Sequence, residues 1–228
     1  MRILAVDTAT KSCSVAVTEN ETILGEITQV SEQTHSKHLL EMVHAVMREV
    51  GLSLSELDGF AVTRGPGSFT GLRIGISSIK GLALAMNRPV VGISSLLTLA
   101  QQIEPTALLV CPLIDARKGE VYTSIYRYGA DGLAPELEER VLVPLEAVQT
   151  IHSPCIFVGS GAILYRDLII DQLGELASFA PEDRHIIQAS TVAFLGLKRF
   201  ESGDAGEVAD LVPFYIRKSD AELNFSRR

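Results

Sequence analysis

The run Phe60-Ala61-Val62-Thr63-Arg64-Gly65-Pro66-Gly67-Ser68-Phe69-Thr70-Gly71-Leu72-Arg73-Ile74-Gly75 leaves the chain few conformational options. Apolar and β-branched residues end at Arg64, glycines flank a proline, and a helix-period segment then reaches Met86, so the order is strand, loop, helix. Gly65 and Gly67 admit positive φ, Pro66 stiffens the bend, and the hydroxyl of Ser68 or Thr70 can accept from the first free N–H groups of the helix. Leu72, Ile76, Ile79, Ala83 and Met86 form a core-facing stripe, whereas Gly71, Gly75 and Ser78 form a second stripe almost bare of side chains. A glycine inside a helix costs roughly 1 kcal/mol relative to alanine, so Gly71, Gly75 and Gly81 imply a close visitor. That visitor is a helix of this chain, a second chain or a ligand phosphate. The plainer alternative is a tight strand–helix turn with close helix–sheet packing and no chemistry.

Ahead of this run, Ile3 to Asp7 predicts a buried strand, followed by the Thr8–Lys11 turn. An alternating strand from Cys13 to Thr18 comes next, and Glu19-Asn20-Glu21 turns the chain into a third strand from Thr22 to Val30. A strand ending in Asp-Thr before a hairpin is how the first phosphate loop of actin-like and sugar-kinase-like ATPases begins, the acid holding a metal-bound water. For Asp7 an ordinary strand-ending turn explains the same residues. Thr34 to Val50 predicts the most amphipathic helix, with Leu39, Leu40, Val43, Met47 and Val50 on one stripe and Glu41, His44 and Arg48 opposite. Gly51 stops it, and Met42 widens the apolar arc beyond what one sheet requires. His35 and His38 stand at metal-ligand spacing, but the HExxH arrangement is absent and a polar helix end suits them better. Ser53-Leu54-Ser55-Glu56 has the form of a capping box.

After the glycine-bearing helix, Pro89 to Ile93 predicts a short buried strand, and Ser94 or Ser95 caps a helix reaching about Gln102. Glu104-Pro105-Thr106 marks a hinge, and the apolar run Ala107 to Ile114 opens a second lobe. Asp115-Ala116-Arg117-Lys118-Gly119 and the strand Glu120–Tyr128 stand where an actin-like ATPase has its second phosphate loop. Arg117 and Lys118 crowd that turn, so it reads as degenerate. Gly159-Ser160-Gly161 follows a strand and opens a helix from about Ile163 to Leu173, as an adenosine-binding turn would, although close packing of helix on strand gives the same pattern. A helix from Ala189 to Glu201 precedes a return to the first lobe at Leu211–Ile216. The expected architecture is α/β, an actin-like ATPase or ribonuclease-H-like fold with two similar lobes, residues 1–104 completed by about 208–228, and 105–207.

A net charge of −8 argues against a broad phosphate-binding surface, so any service to RNA chemistry would run through a partner that supplies positive charge. The three cysteines, Cys13, Cys111 and Cys155, are widely spaced in apolar runs, as expected for small buried hydrophobes in a reducing compartment. Asp7 interrupts the first apolar run too soon for a signal peptide, and no stretch has membrane-spanning length, so a cytoplasmic protein without membrane contact is expected.

The string Arg64–Gly75, together with Ile3–Ala9, Leu57–Val62, Asp115–Tyr122 and Pro213–Arg217, closely resembles the signature of the bacterial TsaB family, the dimerisation subunit of the tRNA threonylcarbamoyladenosine machinery. The likeness spans nearly the whole chain. It implies a non-catalytic scaffold that pairs with a TsaD-like catalytic subunit and a TsaE-like ATPase, forms a homodimer without its partner, and meets tRNA only indirectly. The implied interface joins Leu39, Leu40, Val43 and Met47 to Gly71, Gly75 and Ser78 as half of a four-helix bundle. Asp7, Thr8, Gly65, Gly67, Ser68 and Thr70 would be a vestigial nucleotide site. The TsaD-type relative is expected to carry a metal-binding His-x-x-x-His where this chain has Ser95 and Leu99, so neither a metal nor a cofactor nor a catalytic residue is expected here. Alternative expectations are an ATP-dependent phosphotransferase built on Asp7 and a metallopeptidase, the second weakened by that missing histidine pair.

Overall fold

Strand β1 (Arg2–Asp7) is apolar at consecutive positions because both of its faces are covered. The computed structural model, which describes residues 1–30 and 38–217, places it at the centre of a five-stranded sheet. β2 (Ser12–Glu19) and β3 (Thr22–Val30) extend it as antiparallel hairpins, and α1 (Leu39–Glu49) crosses over the sheet. β4 (Gly59–Gly65), α2 (Phe69–Met86) and β5 (Val90–Ser94) then add parallel strands on the other side, in the order β3-β2-β1-β4-β5. Helix α3 (Ser95–Gln101) leads to a second sheet that repeats this plan. It contains β6 (Leu109–Arg117), β7 (Glu120–Gly129), β8 (Gly132–Leu142), helix α4 (Pro144–Gln149) and β9 (Cys155–Val158). α5 (Ser160–Leu164), α6 (Arg166–Leu173) and β10 (Ala177–Phe179) follow, in the strand order β10-β9-β6-β7-β8. Each sheet thus has an antiparallel trio and a parallel pair, the ribonuclease-H-like pattern expected of two similar lobes.

One face of the first sheet, carrying Leu4, Val6, Val15, Val17, Phe60 and Val62, packs under α1 and α2. Its opposite face is built of small residues, Ala5, Ala16 and Ala61, and receives α7 (Ala189–Glu201). A Cβ on Gly196 would lie 2.9 Å from the Ala61 Cβ, so glycine there permits the close approach. The Ser14 hydroxyl accepts from the Ala189 N–H at 3.0 Å, and Glu26 accepts from the Ser190 N–H at 2.9 Å, which caps this helix against the first lobe. The chain therefore returns to the first lobe at Ala189, earlier than the expected position near 208, and α7 does not belong with the second sheet.

One further feature departs from expectation. The helix expected from Ile163 to Leu173 begins at Ser160 and divides at Tyr165. Leu211–Arg217, where a return to the first lobe was expected, is an irregular strap along α2, with Lys80 Nζ donating to the carbonyls of Ala209 and Leu211 at 3.1 Å each. Residues 34–37 of the expected first helix, including His35, and the tail from Lys218 lie outside the described residues. No helix among the described residues is long and apolar enough to cross a membrane.

Candidate functional site

At the end of β1 the Asp7 carboxylate is fully buried. Its Oδ1 accepts from the Thr63 hydroxyl at 2.7 Å and from the Ala9 N–H at 3.1 Å, while Oδ2 has no hydrogen-bond partner among the described residues. Burial disfavours the charged form and pushes the carboxyl up to about 7, against the opposing hydrogen bonds from Thr63 and the turn backbone. Next to it the Thr8 hydroxyl donates to the Gly71 carbonyl at 2.8 Å.

The small side of α2 closes on this turn. A Cβ on Gly71 would stand 2.1 Å from the Thr8 carbonyl oxygen, one on Gly75 2.3 Å from Thr8 Oγ1, and one on Gly67 2.3 Å from the Ala9 carbonyl oxygen. The Ser68 N–H donates to that Ala9 carbonyl at 2.7 Å, and Ser68 Oγ accepts from the Gly71 N–H at 3.2 Å as the N-cap of α2. The visitor at Gly71 and Gly75 is therefore this chain's own β1–β2 turn.

Most of the residues expected at the two candidate sites lie within the first lobe. Asp7, Thr8, Gly67 and Ser68 do come together, with Asp7 bonded to Thr63 and Ala9, Thr8 to Gly71, and Ser68 to Ala9 and Gly71, and the N–H groups of Ser68, Gly71 and Leu72 are engaged within the chain. Gly65 (φ 121) turns toward the strap, where its Cβ position is 2.5 Å from the Phe214 carbonyl oxygen, and Thr70 is exposed. Of the expected interface residues, Leu39, Val43, Met47, Gly71 and Gly75 are buried in this chain's own first lobe. Leu40, at 55% exposure, and the half-buried Ser78 reach the surface.

The missed residues lie on the outer side of α2: Thr70, Ser77, Gly81, Leu84 and Ala85 are exposed, and nothing stands within 4 Å of a Cβ placed on Gly81. The signal was present in the helical count. At 3.6 residues per turn Gly81 falls roughly 180° from the core stripe, whereas Gly71 and Gly75 fall within about 100° of it. A second missed group stands on the opposite flank of α2, where Phe69 stacks on Tyr215 with ring centroids 4.6 Å apart and the Arg73 guanidinium lies 3.8 Å from the Phe69 centroid.

The remaining expected loops are also occupied. In the β6–β7 turn Arg117, Lys118 and Gly119 all have positive φ (59°, 56° and 75°), and Asp115 Oδ1 accepts from the Arg117 N–H at 2.8 Å. Two long basic side chains in this conformation replace the glycines a phosphate cradle would use. Gly159 (φ 102) and Gly161 press on Leu113, whose carbonyl oxygen is 2.5 Å from a Cβ placed on Gly159, so packing of α5 on β6 accounts for the Gly-Ser-Gly turn. His185 Nδ1 accepts from the Gly159 N–H at 3.0 Å, and Nε2 faces the Ala180 carbonyl at 3.0 Å. His38 Nδ1 lies 3.5 Å from Glu41 Oε2, and no group of three or more His, Cys, Asp or Glu side chains suited to a metal occurs among the described residues.

A family model described as TsaD, tRNA N6-adenosine threonylcarbamoyltransferase, matches residues 17–225. The Bacillus subtilis protein named tRNA threonylcarbamoyladenosine biosynthesis protein TsaB is 32% identical over 99% of this chain and 98% of its own length. The chain belongs to the TsaB family. The structure of YeaZ from Pseudomonas aeruginosa superposes with a TM-score of 0.81 at 31% identity, covering 94% of this chain and 99% of that one. EutJ from Carboxydothermus hydrogenoformans, at 13% identity and a TM-score of 0.55, shares the fold alone over 86% of this chain and 90% of its own. In this TsaB-family chain the positions expected to hold a histidine pair in the TsaD-type relative are Ser95 and Leu99, both buried, and Leu99 packs into the core between the lobes.

Proposed function

We propose that this TsaB-family chain is the non-catalytic docking subunit in the formation of N6-threonylcarbamoyladenosine at position 37 of tRNA, holding a TsaD-like transferase through the outer side of α2. The observation that carries this reading is the exposed stripe Thr70, Ser77 and Gly81, flanked by Leu84 at 67% exposure, on a helix whose other sides are already covered. Small residues let a second helix backbone come close, and Leu40 on α1 is a further exposed apolar residue of the first lobe. Without the catalytic partner the same face joins two copies of this chain.

A TsaE-like ATPase completes the assembly. The net charge of −8 leaves most tRNA contact to the partners, and the setting is the cytoplasm, in keeping with three free buried cysteines. Leu99 in the core and the basic β6–β7 turn favour docking over a phosphotransferase or metallopeptidase activity.

Reconstitution with each subunit omitted tests the reading. Modified adenosine should form with the full set, and neither this chain alone nor the set lacking it should produce any. Full transfer by the TsaD-like subunit without this chain, or any transfer by this chain alone, sinks it.

A further inference from the structure

On the flank of α2 facing the strap, two arginines and three aromatic rings gather in a chain that is otherwise strongly acidic. Arg73 Nε donates to the Tyr215 hydroxyl at 3.1 Å while its guanidinium covers Phe69. The Arg64 guanidinium stands 5.7 Å from the Phe214 centroid, and the Phe214 N–H donates to the Arg64 carbonyl at 2.7 Å, which fixes the strap against β4. Phe214 is 41% exposed and Tyr215 36%. Neither Arg64 nor Arg73 forms a close ion pair among the described residues, although Glu139 acts on Arg64 at longer range, whereas Arg217 is held by Glu120 at 2.6 Å and so ties the strap to the second lobe.

We infer that this patch binds a single-stranded RNA segment, with a base stacking on Phe214 and its phosphates meeting Arg64 and Arg73. Exposed flat rings next to cations that form no close ion pair suit an anionic strand that carries bases. An acidic peptide would use the charges and leave the rings idle. The assignment rests on the docking reading above, which brings tRNA to this chain, and it narrows the expectation that tRNA is met only indirectly: the contact is local, on a surface that elsewhere repels phosphate.

The test titrates a fluorescein-labelled RNA hairpin with a single-stranded loop against the chain alone and against its complex with the TsaD-like subunit, following anisotropy over a range of salt. Phe214→Ala removes an exposed ring and keeps the backbone bond to Arg64, and its melting temperature checks the fold. It should weaken RNA binding roughly fivefold or more, the size of one base–aromatic stack. Arg64→Gln should weaken binding and lower the log–log salt slope by about 0.7, as one lost phosphate contact on a single strand requires. Both variants should assemble with the catalytic subunit as the parent does. Affinities within twofold of the parent overturn the proposal. So does loss of assembly in Phe214→Ala, which would make the patch a protein interface. If the parent chain itself fails to assemble, the docking reading falls, and the titration of the chain alone still decides the patch by the same criterion.

Discussion

A single methyl group separates the two roles of glycine in α2. At Gly75 a Cβ would stand 2.3 Å from Thr8 Oγ1, so Gly75→Ala displaces the hydroxyl from the buried Gly71 carbonyl and should destabilise the chain by about 1–3 kcal/mol in urea unfolding. Gly81→Ala, in open space, should be neutral or stabilising by up to about 1 kcal/mol. Equal effects at the two positions would contradict the packing described. Asp7 makes a separate prediction. Its folded carboxyl holds a proton up to about pH 7, whereas the ordinary value of 3.8 applies once the chain unfolds. The folded state therefore binds more protons between those limits, so the stability tied to Asp7 is complete below the lower value and declines as pH rises through the upper one. Asp7→Asn removes the titration, and the parent should lose stability relative to this variant between pH 5 and pH 8. A pH-independent difference in urea titrations would count against this assignment.

Helix α2 is covered on three sides by three different segments: the sheet under Leu72, Ile76 and Ile79, the β1–β2 turn at Gly71 and Gly75, and the strap beside Arg73 and Lys80. What remains open is the side bearing Gly81. Gly81→Leu raises helix propensity and blocks close approach, so it should leave the melting temperature unchanged or higher while weakening association with the TsaD-like subunit at least tenfold, read by light scattering on gel filtration. Leu84→Asp should weaken it in the same way. The glycine spacing visible in the sequence announced close contacts on this helix. The helical count separates Gly81, roughly 180° from the core stripe, from Gly71 and Gly75, but it does not say which segment covers each flank. Strand β8 was hidden for another reason: Pro135 and its acidic residues suit an edge strand with one neighbour, β7, and break the apolar run that marks central strands such as β6.

The two lobes share one continuous apolar cluster that includes Ile3 and Ala61 from one sheet and Val110 and Ile114 from the other. Gln102 fastens their join: its amide nitrogen donates to the carbonyls of Arg184 and Ile186 at 2.9 Å each, and its oxygen accepts from the Gln188 N–H at 2.8 Å just ahead of α7. Gln102→Ala leaves three part-buried backbone groups without this partner and should cost about 1–2 kcal/mol. Amide exchange should then accelerate at 184–190 ahead of the rest of the chain. If exchange there is unaltered, Gln102 is not the fastener. Because the core is shared, the parent should unfold in one transition by both near- and far-ultraviolet dichroism.

Local patterns sufficed for the order of strands and helices in the first lobe through β5 and for the capped turn ahead of α2, since alternation, glycine placement and capping act over a few residues. The occupant of the glycine stripe, the return of α7 to the first sheet and the meeting of Tyr215 with Phe69 join segments far apart in sequence, as in the bond from the Ala189 N–H to the Ser14 hydroxyl, 175 positions away. No periodicity in a linear chain encodes such contacts. They follow from burial and volume once both sheets have formed, and that is why only the tertiary structure decides what covers Gly71 and Gly75 on α2.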